Sequence, residues 1–144
     1  MSTEENKAAE RRFQEELWNK HNLSAVDEHV APGVVEHNPH FPGQGPGREG
    51  FRQTVAMMLS AFPDTRVTIE DVVAEGDRVV VRWTGRGTHQ KEFMGIPPTN
   101  KQMTAAGIDI YRYEDGKRVE TWRQWDALGV MRQLGAIPMP AQTR

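Results

Sequence analysis

Residues 107–135 read GIDIYRYEDGKRVETWRQWDALGVMRQLG, and their pattern decides the fold class. Polar and apolar residues alternate over Met103–Tyr113 and again over Arg118–Trp125, with the turn signal EDGK between the two runs. A period of two gives a strand two unlike faces, and an Asp-Gly pair between two such runs closes them into a β-hairpin. At Asp126 the pattern turns helical, so DALGVMRQLG is expected to form a short helix behind the second strand.

Working upstream, KEFMGIPPTNKQ (91–102) holds Gly95, Pro97 and Pro98, which forbid continued pairing. Before that break, Arg66–Ala74 and Arg78–His89 alternate Val, Ile and Thr around EGD at 75–77 and predict a second hairpin. Earlier, Phe51, Val55, Met58, Leu59 and Phe62 recur at helical spacing over Arg48–Phe62, and Pro63 and Asp64 end that helix. VVEHNPHFPGQGPG (34–47) predicts a long loop, and Ser24 is placed to cap a short helix over Ala25–Val30. Thr3–Asn22 sets Ala8, Phe13, Leu17 and Trp18 among Glu and Arg and predicts an amphipathic helix. Helices followed by a meander of strands, with no βαβ alternation, mean the α+β class: an antiparallel sheet with helices packed on one face.

A chain of 144 residues suits one domain, with a single core or a core around a hollow, so 1–144 is expected to be that domain. The formal charge of −2 offers no positive field for a polyanion, and neither a nucleic acid nor a membrane is expected as partner. The absence of cysteine removes disulfides, thiol nucleophiles and thiolate metal sites, and fits a reducing compartment. No signal-peptide core and no run of 18 apolar residues occurs, so a soluble, cytoplasmic protein is expected. His37-x-x-His40 lies in a proline-rich loop without a neighbouring carboxylate pair, and no metal site is expected there. The glycines of GQGPGREG (43–50) follow no strand of a βαβ unit, which predicts no nucleotide or flavin cofactor.

FMGIPPTNKQM (93–103), the strand pair around Asp115-Gly116-Lys117, the strand from Trp122 to Asp126 and the closing RQLG resemble the SnoaL-like polyketide cyclase family. EHNP (36–39), PGREG (46–50) and GTH (87–89) extend the resemblance over most of the chain. The resemblance implies a cone-shaped α+β barrel of the nuclear-transport-factor type, its curved antiparallel sheet wrapped on N-terminal helices around a hydrophobic pocket. It also implies a hydrophobic small-molecule substrate, polycyclic or polyketide-like, no cofactor, and a homodimer through the sheet face. The same cone carries cyclases, isomerases, hydroxylases and proteins that only bind, so function has to come from the pocket.

The resemblance turns Gly107 and Asp109 toward the cavity. A carboxylate there has to be paired or protonated, and desolvation raises its pKa into the range useful for general acid or base work. The plainer reading of Asp109 is an acceptor for a neighbouring Trp or Arg. On the next strand the resemblance puts the cyclase aspartate one position before a Trp, where this chain has Gln124, an amide that can orient an oxygen but cannot take a proton from carbon. Trp122 and Gln124 are expected to face in, and Arg123 and Trp125 out. Asp126 stands both as a catalytic carboxylate and as the N-cap of the last helix. His37 is a candidate for proton transfer, and His89 and Arg86 for orienting substrate, with turn-organising bonds as the alternative for the histidines. Phe51 and Met58 offer an adaptable apolar lining, core packing being the alternative. The expected activity is acid/base chemistry by Asp109, Asp126 and His37 (cyclisation, isomerisation or a hydroxylation step). A non-catalytic binding protein with the same pocket is the alternative.

Overall fold

The computed structural model describes residues 2–138. Helix α1 (Thr3–Gln14) starts at a capping box in which the Glu5 N–H donates to Ser2 Oγ at 3.1 Å and the Ser2 N–H donates to Glu5 Oε1 at 3.2 Å. The helix then widens into one π-type turn over Glu15–Asn19. Such a turn inserts a residue into the helical spacing, and Gln14 before it and Trp18 within it both reach the cavity described below.

Helix α2 (Ala25–His29) is not capped by Ser24, contrary to the sequence reading. Ser24 has helical backbone angles rather than the extended ones of an N-cap, and its hydroxyl donates to Asn22 Oδ1 at 2.6 Å instead. Strand β1 (Val30–His37) is a second correction, because the sequence predicts a loop from residue 34. Its ladder skips Pro32 and Gly33, where the register shifts between Val30 and Val35, and an interrupted strand of this kind is tolerated at a sheet edge.

Helix α3 (Gly47–Ala61), strands β2 (Arg66–Glu75), β3 (Arg78–Thr88), β4 (Gln102–Glu114) and β5 (Lys117–Trp125), and helix α4 (Ala127–Gln133) match the sequence-predicted elements to within one or two residues at each end. The five strands form a curved, open sheet in the order β1-β5-β4-β3-β2. β2 to β5 form an antiparallel meander, whereas β1 runs parallel to β5, so the sheet is mixed and does not close. Phe13 and Leu17 interlock with Val26, Val30, Phe51 and Val55 in a buried core that ties the N-terminal helices to α3 and β1. Burying each large apolar side chain of this kind stabilises the fold by roughly 1.5–3 kcal/mol.

The β4–β5 hairpin turns on Asp115 and Gly116, both with positive φ, as a two-residue connection requires. Glu114 pairs with Lys117 and Tyr113 with Arg118. Carried on without interruption, that register would set Trp122 opposite Asp109. Instead it shifts after Tyr113: Arg112 pairs with Glu120, and Val119 is left as the extra residue of a β-bulge. Beyond the bulge Tyr111 stands opposite Thr121, Asp109 opposite Arg123 and Gly107 opposite Trp125. Directly opposed residues share a face and a one-residue slip exchanges the faces, so Val119 decides which half of β5 looks inward.

Candidate active site

The inner face of the sheet, together with α3, α4 and the end of the first helix, encloses a cavity of about 100 Å³ that opens to solvent. This is smaller than typical small-molecule clefts, about 300–1,000 Å³. Trp18, Phe41, Phe51, Met58, Trp83 and Trp125 give it a largely aromatic and apolar wall.

One carboxylate interrupts that wall. Asp109 is 3% exposed and reaches the cavity from β4. Its Oδ2 accepts hydrogen bonds from Tyr111 Oη at 2.8 Å, from Trp83 Nε1 at 3.1 Å and from an Arg123 terminal nitrogen at 3.3 Å. Its Oδ1 is buried and has no hydrogen-bond partner among the described residues. Burial pushes the Asp109 carboxyl above the usual carboxylate range, against the opposing pull of the Arg123 charge and the Tyr111 hydrogen bond. Burial also raises the Tyr111 phenol, aided by the adjacent Asp109 charge, so the phenol stays a neutral donor.

Arg123 is shared. Its Nε donates to Glu36 Oε1 at 3.0 Å and a terminal nitrogen to Glu36 Oε2 at 3.4 Å, and its guanidinium lies 4.8 Å from the Phe51 ring centre. Burial disfavours the Arg123 charge, but Glu36, Tyr111 and Asp109 outweigh it and keep the guanidinium protonated. A second buried pair lies behind Tyr111. Glu10 on α1 accepts from Arg118 Nε at 2.9 Å, from Gln14 Nε2 at 2.7 Å and from Tyr113 Oη at 2.5 Å. Gln14 Nε2 also lies 3.1 Å from Tyr111 Oη, which links the two pairs. Burial opposes the Glu10 charge, yet Arg118 prevails and holds the carboxyl below its usual range. Of Glu10 and Asp109, Glu10 is fully satisfied and Asp109 is not.

Residues 8–134 match the family described as SnoaL-like polyketide cyclase. The chain belongs to that family. It is 33% identical over 111 residues to the aklanonic acid methyl ester cyclase DnrD of Streptomyces peucetius, covering 75% of this chain and 72% of that enzyme. It is 29% identical over 126 residues to the nogalonic acid methyl ester cyclase of Streptomyces nogalater, covering 82% of this chain and 89% of that one. Among solved structures, TsrD from Streptomyces laurentii superposes with a TM-score of 0.82 at 31% identity, over 90% of this chain and 97% of that one.

Within this SnoaL-like cone the sequence-predicted residues divide into two groups. Asp109, Phe51 and Met58 line the cavity, and Arg86 borders it while sharing the exposed outer face of β3 with Arg82. Trp122 and Gln124 do not line it: they pair with Ile110 and Ile108 on the outer face, and Gln124 is exposed. The inward positions belong to Arg123 and Trp125, the reverse of the expectation, because of the extra residue at Val119. His37 is exposed on the outer side, where its Nε2 lies 2.8 Å from Glu120 Oε2 and its ring stacks 5.3 Å from Trp122. Asp126 is exposed and accepts the Gly129 N–H at 2.8 Å, which makes it the cap of α4. His89 is fully buried but outside the cavity lining, packed near Phe62 and Phe93, with Nδ1 3.0 Å from Thr99 Oγ1. It pins the loop of residues 90–100 rather than facing a substrate.

Glu36, Tyr111, Trp83 and Arg123 were missed as site residues. Tyr111 shares the face of Asp109 by simple alternation and was open to detection. Arg123 and Glu36 depend on the bulge and on an unexpected strand. Among the described residues no group of three or more His, Asp or Glu is arranged to hold a metal ion, and no helix is long and apolar enough to cross a membrane.

Proposed function

We propose that this protein is a cofactor-independent enzyme that rearranges a hydrophobic, polycyclic polyketide-type molecule by proton transfer, with Asp109 as the acid/base group. The observation that carries this reading is the division of labour on one carboxylate. Three donors fix Oδ2, while the buried Oδ1 has no partner among the described residues and belongs to a cavity-lining residue. A carboxyl raised by burial is a stronger base than an exposed one. An Asp109 fully neutralised by arginine would have favoured a carrier protein, but Arg123 gives it one contact and Glu36 two.

The chemistry balances without a cofactor. Oδ1 takes a proton from a substrate carbon next to a carbonyl, and the electron pair moves to the carbonyl oxygen as an enolate. The nearby Arg123 charge offsets the charge that leaves Asp109. For cyclisation, the enolate carbon bonds to a second carbonyl carbon, and the resulting alkoxide takes the proton back from Asp109. Trp18, Phe41 and Trp125 hold the flat skeleton by stacking. Phe51 and Met58 fill its edges, while Gln124, Trp122, Asp126, His37 and His89 take no part in the reaction.

Aklanonic acid methyl ester and nogalonic acid methyl ester are the first substrates to offer, because the relatives that share the fold act on them. Conversion to a cyclised isomer of equal mass, followed by chromatography and proton NMR, supports the enzyme. Tight binding of these compounds without conversion supports the carrier.

The outer face of the sheet is the proposed homodimer surface. Val73, Val80, Ile110 and Trp122 form one apolar row across four strands, and Val73 is 60% exposed. A reducing, cytoplasmic setting accords with the lack of cysteine.

A further inference from the structure

Arg123 is one cation between two buried carboxylates. Glu36 comes from β1, where it pairs with Thr121 of β5 and shares its inward face, and its side chain is 5% exposed. It engages two nitrogens of Arg123, at 3.0 Å and 3.4 Å, whereas Asp109 has one contact at 3.3 Å. A guanidinium keeps its single charge at any working pH, so it cannot neutralise both carboxylates. The geometry gives Glu36 the larger share. The Phe51 ring centre lies 4.8 Å from the same guanidinium.

We propose that Glu36 is a positioning residue that holds Arg123 back from Asp109, so that the Asp109 carboxyl stays incompletely neutralised and can take up and return a proton. This rests on the reading of Asp109 as the proton carrier. Glu36 touches no reacting atom in this account; it acts through Arg123.

The other charged or titratable groups around Asp109 do not substitute for this arrangement. Tyr111 on β4 donates a hydrogen bond and remains neutral. Arg118 on β5 is committed to Glu10 on α1 through 2.9 Å and shorter contacts. Trp83 from β3 and Phe51 from α3 carry no charge, and Arg86 stands at the exposed rim. Removing the Glu36 charge therefore leaves Arg123 with Asp109 as its sole acidic contact among the described residues.

The test follows the Asp109 carboxyl directly, by carbon-detected NMR titration of carboxyl-labelled protein, with no substrate present. In E36Q the Asp109 midpoint is expected to fall by about one pH unit or more, the size typical of a carboxylate gaining an undivided cationic partner. E120Q removes a carboxylate from the outer face of the same sheet and is expected to leave the midpoint in place. If E36Q does not fold, E36D keeps the charge but shortens its reach, and a smaller fall is expected. A folded E36Q or E36D with an unchanged Asp109 midpoint overturns the proposal, as does an equal fall in E120Q.

Turnover separates this inference from the reading beneath it. In E36Q, kcat on the pH plateau is expected to drop, with KM little changed and the acid limb moved to lower pH, because a weaker base is already ionised there. If the midpoint falls as expected but D109N retains turnover, the coupling stands and the catalytic reading of Asp109 fails. If the midpoint stays fixed, the coupling fails whatever D109N does.

Discussion

Asp109 and Arg123 face each other directly across the β4–β5 ladder, with an Arg123 terminal nitrogen 3.3 Å from Asp109 Oδ2. The pair exists because Val119 is extra. Without the bulge Asp109 would face Trp122, and its carboxylate would sit against an indole rather than a cation. Deleting Val119 forces either the Arg118–Glu10 pair or the Arg123–Asp109 pair out of the interior. Loss of cooperative thermal unfolding is expected, read by near-ultraviolet circular dichroism; a deletion variant that unfolds like the wild type contradicts the role assigned to the bulge.

Asp109→Asn is expected to stabilise the protein while impairing it. A carboxyl whose pKa is higher folded than unfolded costs stability above the folded pKa, and that cost vanishes below the unfolded pKa. The melting temperature of D109N should therefore exceed that of the wild type at neutral pH and converge with it in acid. A gain of about 1 kcal/mol is in keeping with relief of a strained functional site. Calorimetry across pH reads the convergence, and a D109N variant less stable at pH 7 than at pH 4, relative to wild type, refutes it.

Glu10 behaves in the opposite sense. Its folded pKa is depressed, so its contribution is present above the unfolded carboxylate pKa and is lost as pH falls through the folded value. E10Q leaves Arg118 buried beside a neutral amide and should cost roughly 3–5 kcal/mol at neutral pH. An apolar double replacement of Glu10 and Arg118 should cost less than the single change. Urea unfolding of the three proteins decides between this and independent, additive losses.

Gly107 has no room for a side chain. A Cβ would stand 2.5 Å from the Trp83 ring and 2.7 Å from the Gln124 carbonyl oxygen. The ring can yield only by moving the indole that donates to Asp109 Oδ2. G107A is expected to cost about 1–3 kcal/mol and to lower turnover; a fully active G107A would show that the Trp83 bond is dispensable.

Q124A and H37A are expected to leave turnover unchanged, since both side chains are exposed on the outer face. A large loss of activity in either would return the site to the face of β5 first expected from the family resemblance.

The fold was legible because its signals are local. Helical spacing, the EGD and EDGK turns and the helix behind Asp126 each fix an element within a few residues, and only β1 escaped, its pattern broken by Pro32 and Gly33. The cavity face of β4 was legible too, in that Asp109 does reach the cavity. The face of β5 was not, since one bulged residue leaves the period of two intact on either side while exchanging inside for outside. Glu36 could not be recognised while its segment read as loop, and with it went the reason Arg123 belongs indoors.

The central claim is that Asp109 moves a proton to and from a substrate carbon. Incubation of the two methyl esters in deuterium oxide, with proton NMR of the recovered compounds, reads this step whether or not ring closure follows. The wild type is expected to introduce solvent deuterium next to a substrate carbonyl, and D109N to do so about 10²–10⁴-fold more slowly. Exchange at the same rate in a folded D109N would contradict the account.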